Sequence, residues 1–127
     1  YWQKILAAQP DNKVILTRIG DSYRQMNELD TARDFYQRAL NIEFDSYAVL
    51  GLALINKEKG NHAEAIESLS RLLQNDPKNP RLYQEIATSW VALGKKDKAL
   101  EVLTRAARMG VKSMGLAETL EKIQKLP

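Results

Sequence analysis

Apolar residues recur along this chain at helical spacings, and the pattern repeats every 33 to 34 residues. Three alanines, Ala32, Ala65 and Ala99, set the register. Ahead of each alanine, large apolar residues stand at i and i+3, a small residue at i+4 and a ring or polar residue at i+7. This is the spacing of one helix face. The three sets are Leu16/Ile19/Gly20/Tyr23, Val49/Leu52/Ala53/Asn56 and Tyr83/Ile86/Ala87/Trp90. A second helical pattern follows each alanine, through Tyr36 and Ala39, Leu69 and Leu72, and Leu103 and Ala106.

Turn and cap residues separate the two patterns within each period. Asn27, Gly60 and Gly94 fall where the first helix must end in a left-handed residue. Asn61 with Glu64 has the spacing of an N-cap and its reciprocal partner, and Asn79 precedes a first-turn proline. The repeating unit is therefore predicted to be a helical hairpin, stacked three times.

These residues match the pattern W-x2-L-G-x2-Y, then A-x3-F, then P, so the chain resembles a tetratricopeptide repeat protein. Phe44 and Val111 depart from the pattern at the closing proline, and Asn56 departs at the second aromatic position. The resemblance implies an all-α fold, a right-handed α-solenoid built from helix-turn-helix hairpins.

The ends of the chain fit the same register. Trp2, Ile5, Leu6 and Pro10 match the last helix of a preceding repeat, and Glu121 stands where a continuing repeat would need a small residue. The chain begins without Met or a visible targeting segment, so we expect a fragment of a longer protein. The predicted segments are 1–12 (last helix of a preceding repeat), 13–45, 46–79 and 80–113 (repeats), and 114–127 (capping helix).

The first helix of each hairpin lines the inner surface of such a solenoid, so its non-packing residues are candidates for a peptide-binding groove. They are Val14, Thr17, Asp21 and Arg24, then Tyr47, Leu50, Leu54 and Lys57, then Arg81, Gln84, Thr88 and Val91. The middle helix carries a second apolar stripe through Tyr47, Leu50 and Leu54. Three interpretations are open: neighbouring side chains cover the stripe, a partner's peptide or helix binds there, or a second copy does.

One sub-family can be compared residue by residue. Tetratricopeptide domains that hold the acidic C-terminal tails of heat-shock chaperones use a clamp of Lys, Asn and Arg side chains. The matching positions here are Thr17, Asp21, Gly51, Arg81 and Glu85. This comparison predicts that the chain does not bind chaperone tails by that clamp.

Composition narrows the function further. The 127 residues include no Cys and a single His, His62, which excludes a disulfide frame, a thiolate metal site and a His pair. We therefore expect neither a cofactor nor a metal, and no enzyme activity. The longest apolar run, 47–55, is too short for a membrane span.

The positive charge is concentrated in one segment. Residues 80–113 carry a net charge of +4, whereas the whole chain carries +3. Lys95, Lys96 and Lys98 crowd one turn, and Arg105, Arg108 and Lys112 follow. A solvated helix face explains them most simply, and an acidic protein or lipid surface is the alternative. Nucleic acid is disfavoured, because aromatic residues are not interleaved with the charges.

The sequence thus predicts a non-enzymatic adaptor that binds a peptide segment or helix of a partner and helps to assemble a complex. Two alternatives remain, a regulatory or substrate-docking arm of a larger enzyme and a self-assembly module. The compartment stays open, with cytoplasmic as the default and periplasmic or membrane-attached as alternatives.

Overall fold

A computed structural model describes residues 12–127, so the helix predicted before Asn12 lies outside the described residues. The regular structure of the described part is entirely helical, which confirms the all-α prediction. Two compact units divide the chain, unit 1 up to Lys59 and unit 2 from Gly60 onward. Unit 1 contains α1 (Lys13–Gln25), α2 (Leu29–Ile42) and α3 (Ser46–Glu58). Unit 2 contains α4 (His62–Asn75), α5 (Pro80–Ala92), α6 (Lys96–Arg108) and α7 (Met114–Gln124).

The odd-numbered helices begin with a side-chain cap and the even-numbered ones do not. The capping residues are Asn12 for α1, Asp45 for α3, Asn79 for α5 and Ser113 for α7. The predicted Asn79 cap is therefore confirmed, with its oxygen 3.1 Å from the backbone nitrogen of Arg81. The predicted Asn61 cap is wrong: its ψ of 62° is not extended, and its side chain makes no capping bond.

Left-handed residues end the first helix of each predicted hairpin, as expected. Their φ angles are 62° at Asn27, 86° at Gly60 and 75° at Gly94. At the last of these turns, the Lys95 N–H donates a 2.9 Å hydrogen bond to the Trp90 carbonyl, which closes a Schellman motif. Gly110, whose φ is 75°, repeats this geometry after α6, although the sequence pattern did not single it out.

The core of unit 1 is built from all three of its helices. Leu16 and Ile19 of α1, Ala32 and Tyr36 of α2, and Ile55 of α3 are at most 2% exposed. Leu16, Ile19, Ala32 and Tyr36 are positions that the repeat pattern predicts. The small residue at position 32 lets α2 approach its neighbours closely.

In unit 2, α5 contacts α4, α6 and α7, so it is the central helix. Its buried Tyr83, Ile86 and Ala87 are the predicted packing residues. The Tyr83 hydroxyl donates a 2.7 Å hydrogen bond to the Pro77 carbonyl, which satisfies its polar end. Glu121 of α7 is exposed.

The apolar helix α3 differs from prediction in which residues are buried. Ala48, Leu54 and Ile55 are buried, whereas the predicted packing residues Val49 and Leu52 are only half-buried. A helix with apolar residues on every side gives periodicity no preferred face, so the sequence could not choose between them. Within residues 12–127, no helix combines the length and apolarity that crossing a bilayer demands.

Candidate functional site

Tyr36 of α2 fixes the relative position of α1 and α3 in unit 1. Its fully buried ring lies against two glycines: a Cβ placed at Gly20 would lie 2.8 Å from ring carbon Cε1, and one at Gly51 would lie 2.7 Å from it. The hydroxyl donates a hydrogen bond to Asp21 Oδ1 and accepts one from Arg24 Nε at 3.3 Å. The ring therefore requires glycine on both neighbouring helices, and it holds Asp21 and Arg24 in place.

The environment of Tyr36 keeps its hydroxyl protonated. Burial raises the pKa of this group above its ordinary value of 10.0. The hydrogen bond to Asp21 raises the pKa further, and the hydrogen bond from Arg24 opposes the shift. The hydroxyl therefore remains a donor to Asp21 at neutral pH.

A depression of about 430 Å³ lies between the first half of α1 and the start of α3, and we call it the α1–α3 depression. Its lining residues are Lys13, Val14, Thr17, Arg18, Asp21, Asp45 and Tyr47. Four of these, Val14, Thr17, Asp21 and Tyr47, are predicted groove residues. Unit 1 thus brings together side chains from two helices that the sequence placed in separate repeats.

Polar side chains form the least exposed part of the α1–α3 depression. Thr17 is 5% exposed, and its hydroxyl donates a 2.8 Å hydrogen bond to Asp45 Oδ2. The other carboxylate oxygen of Asp45 accepts the Tyr47 backbone N–H at 3.0 Å. Asp45 therefore has two structural functions, since it caps α3 and fixes the Thr17 side chain.

Apolar surface remains open at the edge of the α1–α3 depression. Val14 is 55% exposed and Tyr47 is 72% exposed. Next to them, Lys13 Nζ donates to the Phe44 carbonyl at 3.2 Å and pairs with Glu43 at 3.2 Å. An aromatic ring and a branched aliphatic side chain are thus available beside a polar floor.

The other predicted residues of unit 1 do not line this depression. Leu50 is half-buried and Leu54 is 7% exposed, so the stripe beginning at Tyr47 becomes less accessible along α3. Lys57 is also half-buried. Arg24 is turned toward Tyr36 and lies 4.0 Å from Asp21.

The predicted residues of the third repeat lie in unit 2. Arg81 is exposed, and its Nε lies 3.9 Å from Glu85. Gln84 is half-buried, and its Oε1 would lie 2.9 Å from a Cβ at Gly115 of α7. The Thr88 hydroxyl donates to the Gln84 carbonyl at 3.0 Å, and Val91 is half-buried. Part of this predicted surface thus packs within unit 2.

Lys13, Arg18 and Asp45 line the α1–α3 depression but were not predicted. A signal was present for Asp45, because an aspartate directly before a helical pattern is a typical N-cap. Lys13 and Arg18 lie outside the i, i+3, i+7 stripe used for the prediction, and their position depends on how α3 packs on α1.

Several of the clustered basic residues contact other groups within unit 2. Lys98 Nζ lies 5.1 Å from the ring centroid of Trp90, a cation–π contact. Lys96 Nζ donates to the carbonyl of Gln124, the last residue of α7, and to the carbonyl of Leu126 beyond it. Arg105 and Arg108 occupy the last turn of α6, where a helix dipole favours positive charge.

No metal-binding cluster is present in the part of the chain that the structure describes, where three or more His, Asp or Glu side chains do not converge. His62 is half-buried, and its Nδ1 makes no hydrogen bond within residues 12–127.

Comparisons with protein families identify the repeats. Residues 57–122, more than half of the chain, match a family model described as tetratricopeptide repeat, and residues 15–46 match a second model with the same description. A curated relative, the BBSome complex member BBS4 homolog of Drosophila melanogaster, is 31% identical over 85 residues. The match covers 66% of this chain and 18% of the relative, so this chain spans less than a fifth of that protein.

Solved structures share the fold at low sequence identity. PcrH from Pseudomonas aeruginosa has a TM-score of 0.76 at 21% identity, covering 90% of this chain and 92% of that one. The Yersinia enterocolitica type III secretion chaperone SycD, in complex with a peptide of the translocator YopD, has a TM-score of 0.72 at 22% identity, covering 86% and 89%. The first TPR of Spaghetti (RPAP3), bound to an HSP90 peptide, has a TM-score of 0.75 at 17% identity, covering 89% and 90%.

Proposed function

Because this chain belongs to the tetratricopeptide repeat family, we propose that it is a non-enzymatic scaffold that binds a segment of a partner protein at the α1–α3 depression. Two proteins with similar folds were solved with peptides of other proteins bound, SycD with a YopD peptide and Spaghetti (RPAP3) with an HSP90 peptide. Peptide binding is therefore compatible with this fold, and the site on this chain is argued from its own residues.

The exposure of Tyr47 is the observation that carries the proposal. Tyr47 is 72% exposed beside Val14, at the edge of a depression with a polar floor. A rigid aromatic ring next to aliphatic surface and a few fixed polar groups is typical of interface anchors. Burying about 60 Å² of apolar ring area would contribute about 1.5 kcal/mol, or roughly tenfold in affinity.

We further propose that peptide binding serves the assembly of a multiprotein complex. The curated relative is named as a member of the BBSome complex, which supports this role. A docking arm of a larger enzyme would use the same binding surface, so the proposal concerns the surface and not the full-length architecture.

To test the proposal, a random short-peptide display library is screened against wild type, Tyr47→Ser and Phe44→Ser, and the peptides that bind each protein are compared. Phe44 is the matched control, because it is an aromatic residue of unit 1 that is 61% exposed and does not line the α1–α3 depression. We expect to recover peptides whose affinity for wild type and for Phe44→Ser is about tenfold higher than their affinity for Tyr47→Ser. Failure to recover any peptide that depends on Tyr47 would contradict the proposal.

Tyr47 is a sharper probe than the buried part of the stripe. A glutamate at Leu54, which is 7% exposed, would bury a charge and destabilise the fold. Loss of binding in such a variant would not separate recognition from folding. Thermal unfolding of Tyr47→Ser should stay close to that of wild type, because surface substitutions typically change stability by about 0.5 kcal/mol or less.

A further inference from the structure

The polar floor of the α1–α3 depression presents hydrogen-bond acceptors. The Thr17 hydroxyl proton is already donated to Asp45, which leaves only the lone pairs of its oxygen for a ligand. The carboxylates of Asp21 and Asp45 are acceptors. Asp21, whose side chain is 38% exposed, uses its Oδ1 for the Tyr36 hydroxyl, and each carboxylate oxygen can accept more than one bond.

Two of the cationic side chains near this floor, Lys13 and Arg24, are engaged by other groups. Lys13 Nζ is bonded to the Phe44 carbonyl and to Glu43, whose carboxylate offsets its charge. Arg24 donates to the Tyr36 hydroxyl and lies 4.0 Å from Asp21. Arg18 also lines the depression, and its side chain is exposed. The floor therefore presents acceptors and two carboxylates, and of the two cations that line the depression, Lys13 is already paired with Glu43.

From this arrangement we infer the chemistry of the bound segment: a Lys or Arg side chain enters the α1–α3 depression and donates to Asp21 and Asp45, while an adjacent apolar side chain packs on Val14 and Tyr47. This inference rests on the proposed function and specifies its ligand. Charge complementarity supports it, because a cation supplies the donors that the floor lacks and pairs with its two carboxylates.

The same floor disfavours an acidic segment or a free C-terminal carboxylate. Such a group would place its oxygens against the lone pairs of Thr17 and the carboxylates of Asp21 and Asp45, while one of the two lining cations, Lys13, is already paired with Glu43. At the clamp position Gly51, the Tyr36 ring occupies the space that a longer side chain would need.

To test the inference, peptides from a random display library that bind wild type but not Tyr47→Ser are sequenced. We expect Lys and Arg to be enriched next to an apolar residue and Asp and Glu to be depleted. The best peptide is then synthesised in three forms, with its basic residue kept, changed to Glu, or changed to norleucine, each with an amidated C-terminus. The basic form should bind about tenfold more tightly than the norleucine form, since hydrogen bonds to charged groups contribute about 1.5–3 kcal/mol.

Variants of this protein test whether the basic side chain of the peptide binds at Asp21 and Asp45. The double variant Asp21→Asn, Asp45→Asn removes both charges but keeps an acceptor for the Tyr36 hydroxyl and an N-cap for α3. It should weaken binding of the basic peptide about tenfold and leave the norleucine peptide nearly unchanged. Asp34→Asn is the matched control, because Asp34 is an exposed residue of α2 outside the depression, and it should change neither affinity.

Each of the following results would overturn the inference. Enrichment of acidic residues, or dependence on a free C-terminal carboxylate, would overturn the ligand chemistry while the Tyr47 dependence still supports the proposed function. An equal loss of both peptides in the double Asn variant would mean that the carboxylates act through folding. Dimerisation of wild type that Tyr47→Ser abolishes, measured by light scattering, would identify a second copy as the occupant instead. Absence of any Tyr47-dependent peptide would overturn the proposed function together with the inference.

Discussion

Replacing Gly51 with alanine tests whether the contact with Tyr36 outweighs helix propensity. Alanine in a helix interior is favoured over glycine by about 1 kcal/mol, so propensity alone predicts that Gly51→Ala stabilises α3. The added Cβ, however, would lie 2.7 Å from two carbons of the Tyr36 ring. Optimal carbon separations are about 3.5–4.0 Å, so ring or backbone must move by nearly 1 Å.

The ring of Tyr36 has little room to move away. It is 0% exposed, it meets Gly20 on α1, and its hydroxyl is held by Asp21 and Arg24. Overpacking of a fixed site costs about 1–3 kcal/mol, and we expect the upper end because the neighbour is a buried ring. Subtracting the propensity gain leaves a net destabilisation of about 2 kcal/mol.

Thermal and urea unfolding followed by circular dichroism measure this effect. At about 4 °C per kcal/mol for a chain of this size, the Tm of Gly51→Ala should fall by about 8 °C. Gly115→Ala is the matched control, since its Cβ would meet Oε1 of Gln84 at 2.9 Å, the end of a flexible side chain that can rotate away. By the same propensity argument, the control should be as stable as wild type or more stable by up to about 1 kcal/mol.

A double-mutant cycle identifies the contact. Tyr36→Leu removes the ring, so Gly51→Ala should cost less in that background than in wild type. A Tm that rises in Gly51→Ala, or additive effects in the cycle, would refute the argument that Tyr36 excludes a side chain at position 51.

Two further predictions concern Tyr36 and the helix caps. The pKa of folded Tyr36 is raised above its ordinary value of 10.0, so the stability this group contributes is complete below that pH and is lost as pH rises toward the folded pKa. Urea unfolding should therefore show stability falling above that pH more steeply in wild type than in Tyr36→Phe, and equal slopes would contradict the assignment. Asn79→Ala should cost about 1 kcal/mol because it removes a capping bond, whereas Asn61→Ala should cost much less because Asn61 makes none. Equal losses in urea unfolding would show that side-chain capping does not distinguish α5 from α4.

The sequence predicts much of this fold because its signals are local. The alanines at 32, 65 and 99 are each fully buried, and Asn27, Gly60 and Gly94 have the expected left-handed φ. Each of these features depends on a spacing or on a backbone preference that a few neighbouring residues determine. The prediction of an Asn61 cap was wrong because the backbone of Asn61 is not extended, a property that the residue type alone does not reveal.

The candidate site was predictable only in part. Val14, Thr17, Asp21 and Tyr47 could be chosen because they lie off the packing face of their helices. Arg18 and Lys13 could not, because only the packing of α3 on α1 places them beside the same depression. The donor and acceptor character of the floor was also hidden, since it depends on the hydrogen bond from Thr17 to Asp45 across 28 residues.

The sequence by itself determined the tetratricopeptide family, the helical repeat and the small residues at the close contacts. Each follows from periodicity and local conformational preference, which the order of residues carries directly. The tertiary structure alone decided which apolar residues of α3 are buried, how Tyr36 fits between Gly20 and Gly51, and where the polar groups of the α1–α3 depression meet. Those outcomes depend on distances between residues far apart in the chain, and only packed helices set such distances.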